Sequence, residues 1–323
     1  MVAFTPVKIG ALVVKNRLVM PPMHTGKSVG GHVTEEMVRY YGKRALFSSP
    51  GIILTEHSFI TSGGMASETQ LSIASDELID DHIRLTDAIH EGGSLAFVQL
   101  NHAGSNGIGD CVSASEIFNP RSERKRRPRA LPAEEIRSLE KAYATAAGRA
   151  VKAGYDGVEI HSAHGYLLNQ FYSPLTNERT DMFGGSLENR LRFLLETVRE
   201  VRAVTGDDVP LAVRLGGCDY LSGGATEEDA VNASLLLEKA GVDLLDISGG
   251  MCGFIVKGLS GPGYFSSMTE KIKKAVRIPV LLTGGVTTAA EAEKLLKEGK
   301  ADLIGIGRAL MKDARCLEAD PNG

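Results

Sequence analysis

Four cysteines in a chain of 323 residues (Cys111, Cys218, Cys252 and Cys316) stand singly, with no C-x-x-C pair among them. That spacing builds neither a disulfide framework nor a zinc or iron–sulfur site, and a reducing cytoplasm is the expected compartment. No apolar run approaches the roughly 18–20 residues that a membrane span needs. The opening Met1-Val2-Ala3-Phe4-Thr5-Pro6 lacks the charged and apolar regions of a signal peptide. A large charge of either sign is missing too: the net charge is −4, which gives no reason to expect a nucleic-acid or anionic-membrane partner. Finally, no G-x-G-x-x-G follows the first strand-like run, which counts against a doubly wound dinucleotide-binding sheet.

What is present is globular material, since 43% hydrophobic residues are too many for disorder. Strand-like apolar runs fall at residues 17–20, 51–56, 95–99, 157–161, 211–214, 243–247, 280–283 and 303–305. Several are continuous rather than alternating, as parallel strands covered on both faces require. Between them lie helical stripes. Ile136, Leu139, Tyr143, Ala146 and Ala150 form one; Leu187, Leu191, Leu194, Val198 and Val201 another; Ala230, Ala233, Leu237 and Ala240 a third. Ser186, Thr226 and Thr288 precede helices as N-caps. Three times a helix ends in glycine and turns straight into a strand, at Gly154, Gly241 and Gly299. This alternation predicts an α/β fold of the (β/α)8 TIM-barrel type, with residues 1–323 as a single domain.

Two stretches break the rhythm. One, residues 104–132 after the third strand, is rich in Ser, Pro and Arg; the other, residues 249–265 after the sixth, holds six glycines and a proline. Long loops after barrel strands lie at the catalytic face, so both are candidate lids. The last two strands end in Thr283-Gly284-Gly285 and Gly305-Ile306-Gly307-Arg308. Loops at these places in such barrels often hold a phosphate on bare backbone N–H groups, and Arg308 adds a guanidinium fork. The glycines serve equally well to tighten two turns.

The most specific segment begins Gly157-Val158-Glu159-Ile160-His161-Ser162-Ala163-His164-Gly165-Tyr166-Leu167-Leu168-Asn169-Gln170-Phe171. It runs on through Ser173-Pro174-Leu175-Thr176-Asn177-Glu178-Arg179 and Phe183-Gly184-Gly185-Ser186. With Pro21-Pro22-Met23 and Val98-Gln99-Leu100-Asn101-His102, it resembles the Old Yellow Enzyme family of FMN-dependent NAD(P)H oxidoreductases along essentially the whole chain. The resemblance implies an ene-reductase in which NADPH or NADH reduces FMN and the reduced flavin reduces an activated C=C bond of a small-molecule substrate.

Site roles follow from the same resemblance. Gly284, Gly285, Gly307 and Arg308 would bind the FMN phosphate, Gln99 the pyrimidine edge, and Arg214 the N1/O2 region. Pro22, Met23, His24 and His57 would lie along the flavin near N5 and O4. His24 stands where family members usually carry Thr or Cys, and the His24-Thr25 pair is similar to dienoyl-CoA and enoate reductases. His161 and His164 would hydrogen-bond the substrate's carbonyl or nitro oxygen, on which negative charge grows as hydride arrives. Tyr166 would donate the proton to the other carbon.

Other readings of these residues stay open. Two histidines three apart, with Glu56, His57 and His102 at other strand ends, also suit a flavin-free metal-dependent or phosphosugar-processing barrel, although no His-x-His on the first strand starts a metal site. Arg214 alone fits a buried ion pair, and Tyr264 fits either a substrate cover or a surface aromatic. The cations Arg121, Arg124, Lys125, Arg126, Arg127 and Arg129 read as solvated loop or as a grip on a phosphate-bearing partner, NADPH or a coenzyme A thioester. The last residues, 317–323, carry no basic or aromatic tail of the kind that completes a neighbouring subunit's site in some family members. Shared sites are therefore not expected, and a homo-oligomer is left open.

Overall fold

The computed structural model describes residues 1–122 and 124–317. In chain order the strands and helices are β1 (Val7–Ile9), β2 (Leu12–Val14), β3 (Leu18–Met20), α1 (Glu35–Phe47), β4 (Ile52–Phe59), α2 (Ile79–Glu91) and β5 (Leu95–Asn101). Then come β6 (Val112–Ser113), β7 (Arg129–Ala130), α3 (Ala133–Lys152), β8 (Gly157–Ser162), α4 (Leu167–Tyr172), α5 (Leu187–Thr205) and β9 (Leu211–Cys218). The chain finishes with α6 (Glu227–Lys239), β10 (Leu244–Gly249), α7 (Ser266–Ala275), β11 (Val280–Thr283), α8 (Ala289–Lys297), β12 (Leu303–Gly305) and α9 (Arg308–Lys312).

Eight strands close into a barrel in the order β10-β11-β12-β3-β4-β5-β8-β9. Every neighbouring pair within it is parallel. Each barrel strand is followed by a helix, and α4 is an additional short one just after β8. The fold is therefore the expected (β/α)8 barrel.

Two layers of apolar side chains hold it. Val19, Ile52, Leu54, Phe97, Ala212, Leu244, Leu281 and Leu303 fill the barrel interior. Ile9 and Val14 join that interior cluster from the β1–β2 hairpin, an element with no signal in the periodicity. The second layer lies between barrel and helices, where the stripes of α3 and α5 are buried and pack on each other.

The capping logic operates as read. Thr226 and Thr288 each form a capping box, with Asp229 and Glu291 respectively, and the Ser186 hydroxyl accepts from the Asn189 N–H at 3.3 Å. Gly154, Gly241 and Gly299 all have φ between +69° and +95°, which lets the helix reverse into the next strand without a Cβ clash.

Several barrel strands run past their predicted ends on the carboxyl side: β4 continues to Phe59, β5 to Asn101 and β9 to Cys218. The pairing of β4 with β5 slips between Thr55 and His57, so Glu56 is an extra residue and His57 faces Gln99. Among the described residues no helix is long and apolar enough to cross a membrane, and the four cysteines are unpaired. The tail at residues 318–323 lies outside the described residues, as does Glu123 within the strand-three excursion.

Candidate active site

All the residues that the resemblance assigns to flavin and substrate converge on one cavity of about 320 Å³ at the carboxyl ends of the barrel strands. Pro22, Met23 and His24 reach it after β3, and His57, Gln99, His161 and Arg214 from β4, β5, β8 and β9. Gly284 and Gly285 follow β11, and Gly307 and Arg308 follow β12. His164 and Tyr166 come from the turn after β8. Ser248, Phe254, Tyr264, Thr283, Val286 and Met311 also line it and were not foreseen as site residues, apart from the open question about Tyr264.

The β8 turn owes its shape to an unusual backbone. His164 has φ +58°, a left-handed conformation that costs a non-glycine residue about 1 kcal/mol. It is held there from two sides: the His164 N–H donates to the Gly249 carbonyl at 3.2 Å, and its Nε2 lies 2.7 Å from the Ser248 hydroxyl. Gly165 follows with φ +72°, and its N–H donates to the Asn169 side-chain oxygen at 2.8 Å. As a result the rings of His161 and His164 meet edge-on at 5.1 Å, and His161 and Tyr166 meet at the same separation. Tyr166 also stacks on His57 at 5.4 Å.

Three of these imidazoles are neutral at physiological pH. Burial is the first cause for His57, His161 and His164, reinforced at each by the Arg214 cation, at His57 by His24, at His161 by His164 and His57, and at His164 by Arg121 and His57. His57 is drawn down to about 3. Each neutral ring keeps one N–H donor, and His161 Nδ1 is buried without a partner among the described residues. Burial raises the Tyr166 phenol, partly offset by Arg121 and Arg124, so it too is neutral and carries its proton.

On the other side of the cavity lies a buried polar group. Gln99 Nε2 donates to Glu159 Oε1 at 2.7 Å, which leaves the Gln99 carbonyl oxygen for a donor in the cavity. Arg214 Nε is 3.2 Å from Asp246 Oδ2, and Asp246 Oδ1 accepts from the Thr283 hydroxyl at 3.2 Å. Glu159 and Asp246 were missed in the sequence. The signal was there: each is a lone carboxylate inside an apolar strand, Val158-Glu159-Ile160 and Leu245-Asp246-Ile247. Burial and the neighbouring Asp246 push the Glu159 carboxyl well above the usual range, and burial raises Asp246 while Arg214 opposes it.

His24 is exposed, and its Nδ1 lies 3.4 Å from Glu56 Oε1, while the Thr25 N–H donates to Glu56 Oε2 at 3.0 Å. Glu56 therefore anchors the His24-Thr25 segment. His102 points elsewhere: it lines a different hollow, its Nδ1 accepts from the Gly104 N–H at 3.1 Å, and burial lowers it to about 4. Among the described residues no three His, Cys, Asp or Glu side chains form a group that could hold a metal ion. Tyr264 is half-buried in the cavity wall, with its hydroxyl donating to the Phe254 carbonyl at 2.6 Å.

These residues fit a flavin mononucleotide. A flavin pyrimidine presents one N–H between two carbonyls, which matches the open Gln99 oxygen beside the Arg214 cation. A Cβ at Gly284 would stand 3.0 Å from the Tyr264 ring, and one at Gly307 would stand 3.0 Å from Met23 Sδ, so both positions keep bare backbone against the cavity. Arg308 is exposed there and has no ion pair among the described residues.

Comparison with known proteins agrees. The model of the NADH:flavin oxidoreductase / NADH oxidase family matches residues 3–319. An NADPH dehydrogenase of Bacillus subtilis is 38% identical over 314 residues, covering 96% of this chain and 91% of that protein. An NADH oxidase of Thermoanaerobacter brockii is 36% identical over 321 residues, 96% of this chain but 49% of that protein, so the chain spans about half the length of some relatives. Among solved structures, a 2-naphthoyl-CoA reductase in complex with 2-naphthoyl-CoA superposes with a TM-score of 0.92 at 28% identity, covering 98% of this chain and 51% of the other. The chain belongs to the NADH:flavin oxidoreductase / NADH oxidase family, the Old Yellow Enzyme group of NAD(P)H-dependent FMN oxidoreductases that its motifs resemble.

Proposed function

We propose that this protein is an FMN-dependent ene-reductase that uses NADPH or NADH to reduce C=C bonds conjugated to a carbonyl, carboxyl or nitro group. Enones and enoates are its expected substrate classes, along with enoyl or dienoyl thioesters. The observation that carries this reading is the meeting of two neutral imidazoles and a neutral phenol, His161, His164 and Tyr166, within 5.1 Å contacts at one side of the cavity.

Bound FMN would supply the hydride, taken from the nicotinamide and delivered to the carbon remote from the activating group. Gly284, Gly285, Gly307 and Arg308 would hold its phosphate, Gln99 and Arg214 would meet its pyrimidine edge, and Pro22, Met23, His24 and His57 would line its ring. His161 and His164 donate to the substrate's activating oxygen. Because that oxygen gains charge only as the reaction proceeds, fixed donors there stabilise the transition state more than the ground state. The imidazoles are neutral, and each still offers one N–H for this. Tyr166 hands its phenolic proton to the carbon next to the activating group. Proton and hydride arriving from opposite faces give net trans addition.

The same reading takes residues 1–323 as a single FMN-binding barrel domain working on small molecules in a reducing cytoplasm, where unpaired cysteines persist. The absorption spectrum tests it. A flavin band that bleaches anaerobically with NADPH or NADH, and recovers on adding an enone, nitroalkene or enoyl thioester, is the expected result. Colourless protein with stoichiometric zinc would overturn it.

A further inference from the structure

Outside His164 and Tyr166 lies a second hollow of about 300 Å³, walled by Ala66, Asn106, Arg121, Ser122 and Arg124. It shares His164, Tyr166 and Phe254 with the main cavity, so it is the antechamber of that cavity rather than a separate pit. Two of its walls are arginines from the strand-three excursion.

Four of the six cations of that excursion fall into two pairs, while Arg126 meets the Ile108 and Gly109 carbonyls away from the hollow. Arg127 and Arg129 face carboxylates, Glu116 at 3.6 Å and Glu135 at 2.8 Å. Arg121 and Arg124 face no carboxylate among the described residues. Their contacts are long bonds to backbone carbonyls: Arg121 Nη1 to Cys252 O at 3.4 Å, and Arg124 to Asn106 O at 3.2 Å and Ala66 O at 3.3 Å. A guanidinium carries five N–H donors, so most remain for a ligand.

Arg121 is also fixed in place. Its guanidinium lies 5.6 Å from the Phe254 ring centroid and fills the space over Gly253, where an added Cβ would come within 2.3 Å of Cζ. A solvated surface arginine needs no such seat. Two cations held at the mouth of a cavity, with planar donor forks unspent, match the chemistry of phosphate groups. The chain carries a net charge of −4, so this positive patch runs against the overall balance and would steer anions to the mouth.

We propose that the antechamber is a subsite for the phosphorylated tail of a reactant whose reactive head occupies the main cavity, with Arg121, Arg124 and the Ser122 hydroxyl as its donors. The inference rests on the flavin reading above. Two reactants carry such a tail: a dinucleotide donor, and an acyl substrate joined as a thioester to a phosphorylated nucleotide carrier. The chemistry recognised is the same in both.

The test uses holoenzyme whose flavin spectrum has been recorded. Steady-state kinetics are compared for wild type, Arg124→Gln and Arg124→Lys in two arms. One arm sets NADPH against a dihydronicotinamide without the adenosine diphosphate tail; the other sets an enoyl-CoA against the same acyl group on N-acetylcysteamine. In one arm the Arg124→Gln substitution is expected to lower the tailed-to-tailless ratio of kcat/KM about tenfold, the scale of one charge-assisted contact. The loss should lie in KM, with partial recovery in Arg124→Lys. Inorganic pyrophosphate should compete with the tailed reactant of that arm and not with the tailless one. The arm that moves identifies the source of the tail. Ratios unchanged in both arms, in an enzyme that still binds flavin and turns over, would overturn the subsite and leave the flavin reading standing. Absence of flavin from the purified protein would instead sink the flavin reading itself.

Discussion

Arg214 and Asp246 stand opposite each other on β9 and β10, with Nε 3.2 Å from Oδ2 and both side chains buried. A second carboxyl, Glu159 on β8, shares that cation's field and is fully buried too. Burial, with the Asp246 carboxylate beside it, pushes the Glu159 carboxyl well above the usual range, and the Arg214 it shares with Asp246 offsets this only in part. Removing Asp246 should therefore cost less than an isolated buried cation would, about 3–5 kcal/mol, because Glu159 ionises in its place. Adding Glu159→Gln withdraws that replacement. Chemical denaturation of Asp246→Asn, Glu159→Gln and the double variant is expected to show an excess loss of about 1–3 kcal/mol in the double. Simple additivity would mean that the two carboxyls do not share Arg214.

Glu159→Gln alone has the opposite sign. Because Glu159 titrates far higher in the folded protein than in the unfolded chain, the unfolded state sheds the proton first as pH rises. Stability is thus lost by about 1.4 kcal/mol per pH unit above about 4.5, until the folded value is reached. A glutamine does not titrate and still accepts from Gln99 Nε2. The variant should match wild type near pH 4 and exceed it increasingly as the pH rises above that, until the folded value is reached. Parallel stability curves across that range would show that Glu159 is ionised in the native state.

Tyr166→Phe separates proton donation from flavin reduction. The phenol touches His161 and His57 but lies outside the residues proposed to bind flavin. Stopped-flow measurements should show enone reduction slowed by about 10²–10⁴ while bleaching by NADPH is spared. Burial keeps the phenol protonated, so the wild-type enone half-reaction should be flat between pH 6 and 9. Equal slowing of both half-reactions would make the tyrosine structural.

The barrel was readable because strands such as Leu211–Cys218 are buried on both faces and announce themselves as apolar runs. Their carboxyl ends were not, because there the chain turns polar side chains inward. Glu56 and Gln99 break the apolar runs of β4 and β5 without ending the strands, and reading the break as a boundary cut each strand short. The β1–β2 hairpin was invisible for another reason: three-residue strands hold too few side chains to show a period. Motif residues converged because a parallel barrel brings all its strand ends to one face. Ser248 could not be anticipated, since its bond to His164 joins positions 84 apart in sequence and depends on how β8 and β10 flank β9.

Ser248 accordingly offers the test of how far His164 depends on its support. The imidazole sits on a left-handed residue and would swing about χ1 and χ2 without a fixed partner on Nε2. The Ser248 hydroxyl at 2.7 Å is that partner, and it selects which ring nitrogen remains to meet the substrate oxygen. Ser248→Ala deletes the bond while leaving His164 present. If geometry at His164 matters to the reaction, kcat/KM for an enone should fall between about tenfold and a hundredfold, the scale of a misplaced catalytic group. Ser248→Thr keeps the hydroxyl and should restore most of that loss. Flavin content should be unchanged in both, because the proposed flavin contacts come from other strands. An alanine variant as active as wild type would show that the left-handed backbone alone orients the ring.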